Sequence, residues 1–234
     1  GVLRTPLLVH SNLGVPNITS LNRLRGRKAD LFANFASQPN SPFVQGIMTI
    51  YHFLAETRNR GQRIIAIVSA NDGDGKSTVA AALAQYAASI AHQSTALIDC
   101  DIHQRTLSKR FAPTASHSFA QAVNRTSTPA DVMTVPDGCA FSLCTAPAKE
   151  NTLTSIEMLM SPEMTNFVKT TGRKHDLVVL DTPGMLNNVE AKALVSLADI
   201  VILIIDARST TVENIAAARE LVPGLEDKLI GVVL

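Results

Sequence analysis

A glycine-rich segment with the sequence IVSANDGDGKST, residues 67–78, carries the strongest chemical signal in this chain. It fits the relaxed phosphate-loop pattern Ala70-x-x-x-x-Gly75-Lys76-Ser77, in which alanine replaces the first glycine. Glycines let the backbone curl so that successive N–H groups face a phosphate, and the following helix offers its positive N-terminal end. The pattern predicts that Lys76 reaches the β- and γ-phosphates of a nucleotide and that Ser77 binds Mg²⁺.

Two carboxylates stand inside this loop, at Asp72 and Asp74, although the loop is expected to hold an anion. Because backbone N–H groups and Lys76 make the phosphate contacts, we expect both acidic side chains to point outward. The residues predicted to line the nucleotide are Asp72, Gly73, Asp74, Gly75, Lys76, Ser77 and Thr78.

Further acids follow two apolar segments of strand length. Asp99 and Asp101 end the segment ALIDCD, and Asp181 ends DLVVLD immediately before Thr-Pro-Gly. Residues two apart on an extended chain project to one side, and ligands of open α/β sheets bind beyond the carboxyl ends of strands. Such acids can simply cap the helix that follows, but the phosphate loop upstream favours a catalytic role.

The predicted catalytic residues are therefore Lys76, Asp99, Asp101 and Asp181. Asp99 is the better candidate for activating a nucleophile. Asp101 and Asp181, together with Ser77, are the candidates for holding Mg²⁺ and its water shell, since oxygen ligands suit this ion.

Short apolar runs alternate with helical segments along most of the chain. Unbroken hydrophobicity indicates strands buried on both faces, and strands separated by helices indicate right-handed crossovers. The fold class is therefore predicted as α/β: a three-layer P-loop fold whose mainly parallel central sheet is covered by helices on both faces. The predicted strands are 63–69, 95–99, 176–181, 199–206 and 229–234. The predicted helices are 43–58, 77–92, 155–171, 189–198 and 211–221.

Residues 1–42 mix Pro, Gly, Asn and Ser without a sustained period, so we expect a juxtamembrane-type linker before a P-loop ATP-binding domain over 43–234. The linker holds a basic cluster of Arg23, Arg25, Arg27 and Lys28. A solvated basic linker is the simpler interpretation, and the alternative is attraction to anionic lipid, at about 1 kcal/mol per basic residue. The chain begins with Gly and stops inside an apolar run, which indicates a piece of a longer protein.

Composition argues against several classes of protein. The net charge of +1 gives no general affinity for nucleic acid, so we expect no nucleic-acid partner. The three cysteines, Cys100, Cys139 and Cys144, lack metal-binding spacing and fit a reducing compartment. No apolar run reaches the roughly 18–20 residues of a membrane span.

The order of the motifs resembles the cytoplasmic domain of the bacterial tyrosine kinases associated with polysaccharide co-polymerases, which determine chain length in capsule and exopolysaccharide export. The resemblance covers about residues 43–234 and rests on SANDGDGKST, LIDCDIHQRTLSKRF, HDLVVLDTPG and LADIVILIIDARSTT. It implies a deviant P-loop fold shared with partitioning and septum-site ATPases, and ATP or ADP with Mg²⁺ as cofactors. It also implies attachment to the cytoplasmic face of the inner membrane through a further N-terminal part, polysaccharide export machinery as partner, and room for a homo-oligomer.

Several positions depart from that family. His103 stands where the family usually has Arg, and we expect it to be a surface residue. Where the family has an acid and two arginines that link protomers, this chain has Pro42, Gln45 and Met48. The family's kinases end in a tyrosine-rich tail, whereas the only tyrosines here, Tyr51 and Tyr86, lie in predicted helices. Nucleotide binding is therefore better supported than phosphotransfer to tyrosine.

Three functions stay open at this point. The first is kinase-like phosphoryl transfer in polysaccharide export. The second is a partitioning or septum-site ATPase, but that group usually carries a loop lysine at the position of Asn71. The third is a pseudokinase module that binds nucleotide without turning it over. Glu190 is a further candidate for the site, because the resembling family commonly has an acid after its third motif.

Overall fold

The computed structural model describes residues 1–22, 31–32, 35, 37–59, 61–148 and 152–234, with side chains from 155 onward in the last range. Its central element is an eight-stranded sheet in the order β1-β8-β7-β2-β6-β3-β5-β4. The strands are β1 (Asn17–Thr19), β2 (Ile64–Ser69), β3 (Thr95–Asp99), β4 (Met133–Thr134), β5 (Ser142–Cys144), β6 (Leu177–Asp181), β7 (Ile200–Ile204) and β8 (Leu229–Val233).

Ten helices are distributed among these strands in the described part of the chain. They are α1 (Pro6–Leu13), α2 (Pro42–Thr57), α3 (Lys76–Ser89), α4 (Thr106–Phe111), α5 (Phe119–Val123), α6 (Thr152–Leu159), α7 (Pro162–Lys174), α8 (Glu190–Leu197), α9 (Val212–Leu221) and α10 (Leu225–Lys228). None of those described has the length and apolarity needed to span a bilayer.

The sheet is mainly parallel, as predicted. All its strand pairs are parallel except β4 with β5, which is antiparallel. The five predicted strands are confirmed as β2, β3, β6, β7 and β8, and in the first four of these every residue is buried. Their continuous apolar runs therefore reflect burial on both faces.

Helices cover both faces of the sheet and produce the three layers. On one face, alternate β2 residues such as Ile65 pack with Ile47 of α2 and Leu83 of α3. On the other face, Ala66 packs in a core with Phe167 of α7 and Leu194 of α8. Alternate side chains of one strand thus pack into two hydrophobic cores, one on each face of the sheet. The predicted fold class is confirmed.

The prediction of one continuous helix over 155–171 is wrong, because two separate helices, α6 and α7, occupy this stretch. The Ser161 hydroxyl accepts a hydrogen bond from the Met164 N–H, and Pro162 begins α7. Proline lacks the N–H that a continuous helix would need, so α6 ends before Pro162 and α7 begins after its own N-cap, Ser161.

Residues 1–22 contain regular structure that the sequence analysis did not predict. Thr5 caps α1, Gly14 ends it with a φ of 68°, and β1 extends the sheet by pairing with β8. Leu3, Val9 and Leu13 are buried in the core. The expectation of a linker without helix or strand is therefore wrong for this part. The basic cluster at 23–28 lies outside the described residues, and the domain boundary at residue 42 stays a prediction.

Replacing Leu3 by Ala should lower the free energy of unfolding by about 2–4 kcal/mol, because a fully buried leucine leaves a cavity. The matched variant Leu7→Ala, in which the lost side chain is 77% exposed, should change it by less than about 0.5 kcal/mol. Urea denaturation followed by circular dichroism measures both values. Equal and small effects would show that the N-terminal segment does not belong to the folded core.

Candidate nucleotide site

The predicted phosphate loop connects β2, which ends at Ser69, to α3, which begins at Lys76. Gly73 and Gly75 have φ values of 87° and 101°, a left-handed backbone conformation that residues other than glycine rarely adopt. Gly75 is the N-cap of α3, and no side chain caps that helix end. The loop therefore leaves the first N–H groups of α3 directed to a ligand, as an anion cradle requires.

Lys76 is buried, and its ammonium group is held by the loop itself. Lys76 Nζ donates to Ser69 Oγ at 2.9 Å and to the Asn71 carbonyl oxygen at 3.2 Å. Ser69 Oγ in turn donates to the same carbonyl oxygen at 2.5 Å. Ser69 was not identified from the sequence, although its hydroxyl stands at the last position of the strand before the loop.

Asp99 and Asp181 lie side by side, because they are register partners on the neighbouring strands β3 and β6. On its other side, Asp181 is the partner of Ile67 in β2, the strand that leads into the loop. Both carboxylates are completely buried. The predicted convergence of the three motifs at the carboxyl edge of the sheet is thus present in the structure.

Neither carboxylate oxygen of Asp181 has a hydrogen-bond partner of good geometry among the described residues, although the Ser77 hydroxyl lies close to it. Burial, and then the charge of Asp99, raise the pKa of Asp181 well above its usual range, while the nearby Ser77 hydroxyl and Lys76 lower it. A buried carboxylate without partners is costly, so this orphaned group indicates a place where a cation or a ligand binds.

Asp99, in contrast, is fully engaged by its own chain. Its Oδ2 accepts from the N–H and the hydroxyl of Ser108 at 2.8 and 2.6 Å, and its Oδ1 accepts from the Asp101 N–H at 3.2 Å. Burial raises the pKa of Asp99 to about 6. Ser108 was not identified from the sequence. The role of Asp99 in activating a nucleophile stays a prediction.

Asp101 shapes the turn that follows β3. Its Oδ1 accepts from the N–H groups of His103 and Gln104 at 3.1 and 2.9 Å. The ring of His103 does not lie free on the surface, because its Nε2 is 2.5 Å from Oε1 of Glu190, a completely buried residue. The expectation of a surface histidine holds only in part, because the side chain is 29% exposed, and the contact joins the turn after β3 to the start of α8.

The two loop acids do not both point outward as predicted. Asp74 is buried, and its Oδ2 accepts from the Asn71 N–H and the Thr210 hydroxyl, each at 3.3 Å. Burial raises the pKa of Asp74. Asp72 is partly exposed, but its Oδ1 accepts from the Gly184 N–H at 2.7 Å. The outward orientation is wrong for Asp74 because a distant hydroxyl supplies its partner.

The chemistry of the acids fits Mg²⁺. The described residues contain no cluster of three Asp, Glu, His or Cys side chains able to hold a metal ion alone. Mg²⁺ usually takes one or two protein ligands and completes its shell with water and substrate phosphates, so such a cluster is not required. The partnerless oxygens of Asp181 beside the Ser77 hydroxyl supply donors of the right kind.

A groove of about 2340 Å³ opens beside the loop. The loop residues Gly73, Gly75 and Thr78 line it, together with Lys109, Arg110 and Arg208. The cations come from α4 and from the segment after β7. Their position could not be predicted from the sequence, because they lie far from the loop along the chain. Asp74, Asp137 and Asp206 line the same groove, and Arg208 is paired with Asp206, so the charge of the groove is mixed.

A family model described as the mRNA cleavage and polyadenylation factor CLP1 P-loop matches residues 70–205. This range covers more than half of the chain and includes the loop, Asp99, Asp101 and Asp181. The chain therefore belongs to this P-loop family.

Two curated proteins place it more narrowly among P-loop domains. Succinoglycan biosynthesis transport protein ExoP of Rhizobium meliloti (strain 1021) is 29% identical over 173 residues, which are 74% of this chain and 22% of that protein. Tyrosine-protein kinase YwqD of Bacillus subtilis (strain 168) is 27% identical over 177 residues, which are 75% of this chain and 73% of that protein. The chain thus spans about a fifth of the length of the first relative.

Among solved structures, the kinase domain of Escherichia coli tyrosine kinase ETK has a TM-score of 0.82 at 18% identity and covers 95% of this chain and 92% of its own. At this identity the likeness shows the fold alone. Together with the two relatives, it confirms the predicted resemblance to the bacterial tyrosine kinase domains of polysaccharide co-polymerases.

The protonation of Asp99 should make stability depend on pH. Because its folded pKa of about 6 exceeds the ordinary 3.8, folding favours the protonated acid, and this contribution is complete below about pH 4. It is lost as the pH rises through 6, so the free energy of unfolding should fall across this window. Asp99→Asn should flatten that fall.

Urea titrations of the nucleotide-free chain between pH 4 and 7.5 measure this dependence for the wild type and the variant. A control such as Asp227→Asn, which changes an exposed acid, should retain the wild-type slope. Identical slopes for wild type and Asp99→Asn would contradict the assignment.

Proposed function

We propose that this chain binds ATP and Mg²⁺ and carries out kinase-like phosphoryl transfer in a protein of exopolysaccharide or capsule export. The observation that carries the proposal is the orphaned Asp181 carboxylate, which lies between the loop strand β2 and Asp99 on β3. A bare acid buried beside a phosphate-binding loop and a buried lysine fits a site for a metal-bound nucleotide.

In this proposal each residue of the site has its own part. Lys76 and the loop N–H groups bind the phosphates and offset their charge. Mg²⁺, when bound, would neutralise charge on the phosphate oxygens, and Ser77, Asp101 and Asp181 would hold it directly or through water. Asp99 orients the group that accepts the phosphoryl.

The setting of the chain is also a proposal. ExoP is called a biosynthesis transport protein for succinoglycan, and YwqD a tyrosine-protein kinase. The first name supports polysaccharide export machinery as the partner. The proposal also includes a place at the cytoplasmic face of the bacterial inner membrane through an N-terminal part, as the resemblance of the motifs implies. Solved neighbours with the same fold include the septum site-determining protein MinD from Pyrococcus horikoshii OT3 in complex with Mg-ADP (TM-score 0.59, 17% identity), which supports the proposed cofactors.

A second candidate, a nucleotide-binding pseudokinase module, is favoured by the environment of the tyrosines. Tyr86 is buried on α3, and Tyr51 of α2 packs against it with ring centroids 5.3 Å apart. Both tyrosine rings are thus packed on helices, Tyr86 buried and Tyr51 half-buried, rather than placed on a mobile segment. The partitioning-ATPase alternative gains no such support, because Asn71 replaces the loop lysine and its carbonyl oxygen already accepts from Lys76.

Nucleotide binding should depend on Lys76. Lys76→Met removes the ammonium group from the loop and should weaken ATP binding at least tenfold, or about 1.4 kcal/mol. Lys169→Met, which removes an exposed lysine of α7, should leave the affinity unchanged. Titration calorimetry with ATP and Mg²⁺ measures both. Wild-type affinity in Lys76→Met would refute the proposed site.

The type of reaction is decided by following the γ-phosphate. The full-length protein is incubated with γ-labelled ATP and Mg²⁺, and the label is mapped by phosphopeptide analysis, with Lys76→Met as the blank. Label on tyrosine is expected for the kinase-like function. Release of free phosphate without protein label would indicate an ATPase, and tight binding with neither product would establish the pseudokinase alternative.

A further inference from the structure

The Asp72 carboxylate lies between two groups of the kind that bind phosphate. Its Oδ1 accepts from the Gly184 N–H at 2.7 Å, and the same oxygen lies 3.9 Å from Lys76 Nζ. A backbone N–H and a lysine ammonium thus converge on one acidic oxygen. Such a pair of donors is a typical anion site, and here the chain's own side chain fills it.

The contact depends on an unusually close approach of two segments. A Cβ placed on Gly184 would lie 2.7 Å from the Asp72 nitrogen and 2.8 Å from Asp72 Oδ1. Two backbone hydrogen bonds strengthen the same junction, from Met185 N–H to Ser69 O at 3.0 Å and from Leu186 N–H to Ala70 O at 3.1 Å. The segment after β6 is therefore fastened to the loop, and Asp72 provides its charged contact.

Lys76 has no other acidic partner at ion-pair distance within the described ranges. Its remaining hydrogen bonds go to Ser69 and Asn71 of the same loop. The Asp72 side chain is 37% exposed, so it can turn into solvent without disturbing the core. A phosphate held by the same two donors would lie against the carboxylate, and two like charges in contact repel each other even where solvent partly screens them.

We propose that the Asp72 carboxylate occupies the place of a nucleotide's terminal phosphate and thereby makes the site discriminate against nucleoside triphosphates in favour of diphosphates. This inference rests on the proposed function, because it assumes that the loop binds an adenine nucleotide. A diphosphate leaves the Asp72–Gly184 contact intact. A triphosphate must displace the carboxylate, and its terminal oxygens then take over the Gly184 N–H.

The test compares two nucleotides by equilibrium binding rather than by activity. The dissociation constants of ADP and of the non-hydrolysable β,γ-imido analogue of ATP are measured with Mg²⁺ for the full chain. Asp72→Asn retains a hydrogen-bond acceptor and removes the charge, so it should tighten analogue binding about tenfold and change ADP binding less than about threefold. Asp227→Asn, an exposed acid preceding β8, should alter neither constant.

Equal effects of Asp72→Asn on both nucleotides, or weaker binding of the analogue, would overturn the inference and leave nucleotide binding intact. If the wild type binds neither nucleotide, the inference and the proposed function fall together. Thermal melts check that each variant is folded, and Asp72→Ser decides the question if Asp72→Asn does not fold. An altered ratio of the two constants is the supporting result, since a loop that is merely loosened would affect both nucleotides.

Discussion

The parallel pairing of β6 between β2 and β3 is the constraint on which the whole site depends. Because parallel strands end at one edge of the sheet, the register places Asp181 next to Ile67 of the loop strand and next to Asp99. The Thr182 hydroxyl reinforces this register by donating to the Ile67 carbonyl oxygen at 2.9 Å. One strand placement thus brings together three motifs that are separated by many residues in the chain.

The hydrogen bonds at this edge distinguish two carboxylates that the chain's own groups satisfy from a third that they do not. Asp99 is satisfied by Ser108 and by a backbone N–H, and Asp74 by Thr210 and by a backbone N–H. Asp181 is as deeply buried but has no such partner in the described part of the chain. Proteins rarely leave a buried carboxylate unsatisfied, and this cost is the reason for proposing a cation site at Asp181.

The sequence predicted those features that a local pattern determines. Continuous apolar runs specified the central strands, and the glycine spacing specified the loop, because both patterns are complete within a dozen residues. Partners distant in the chain could not be predicted: Thr210 lies 136 residues from Asp74, and Glu190 lies 87 from His103. The N-terminal helix α1 was missed for another reason: its eight residues are too few to show a clear helical period. Its caps, Thr5 and Gly14, are nevertheless of recognisable types.

The acids of the phosphate loop are explained by the position of β2 between β7 and β6. The loop leaves β2 with a neighbouring segment on each side, and each acid contacts one of them: Asp74 the Thr210 hydroxyl after β7, and Asp72 the Gly184 N–H after β6. Of the two acids, only Asp72 has its accepting oxygen at ion-pair distance, 3.9 Å, from Lys76 Nζ. Asp74 therefore ties the loop to the segment after β7, whereas Asp72 holds the donors for which we propose that a phosphate competes. A negative charge in an anion-binding loop is thus compatible with anion binding, provided that the Asp72 side chain can turn away from the shared donors.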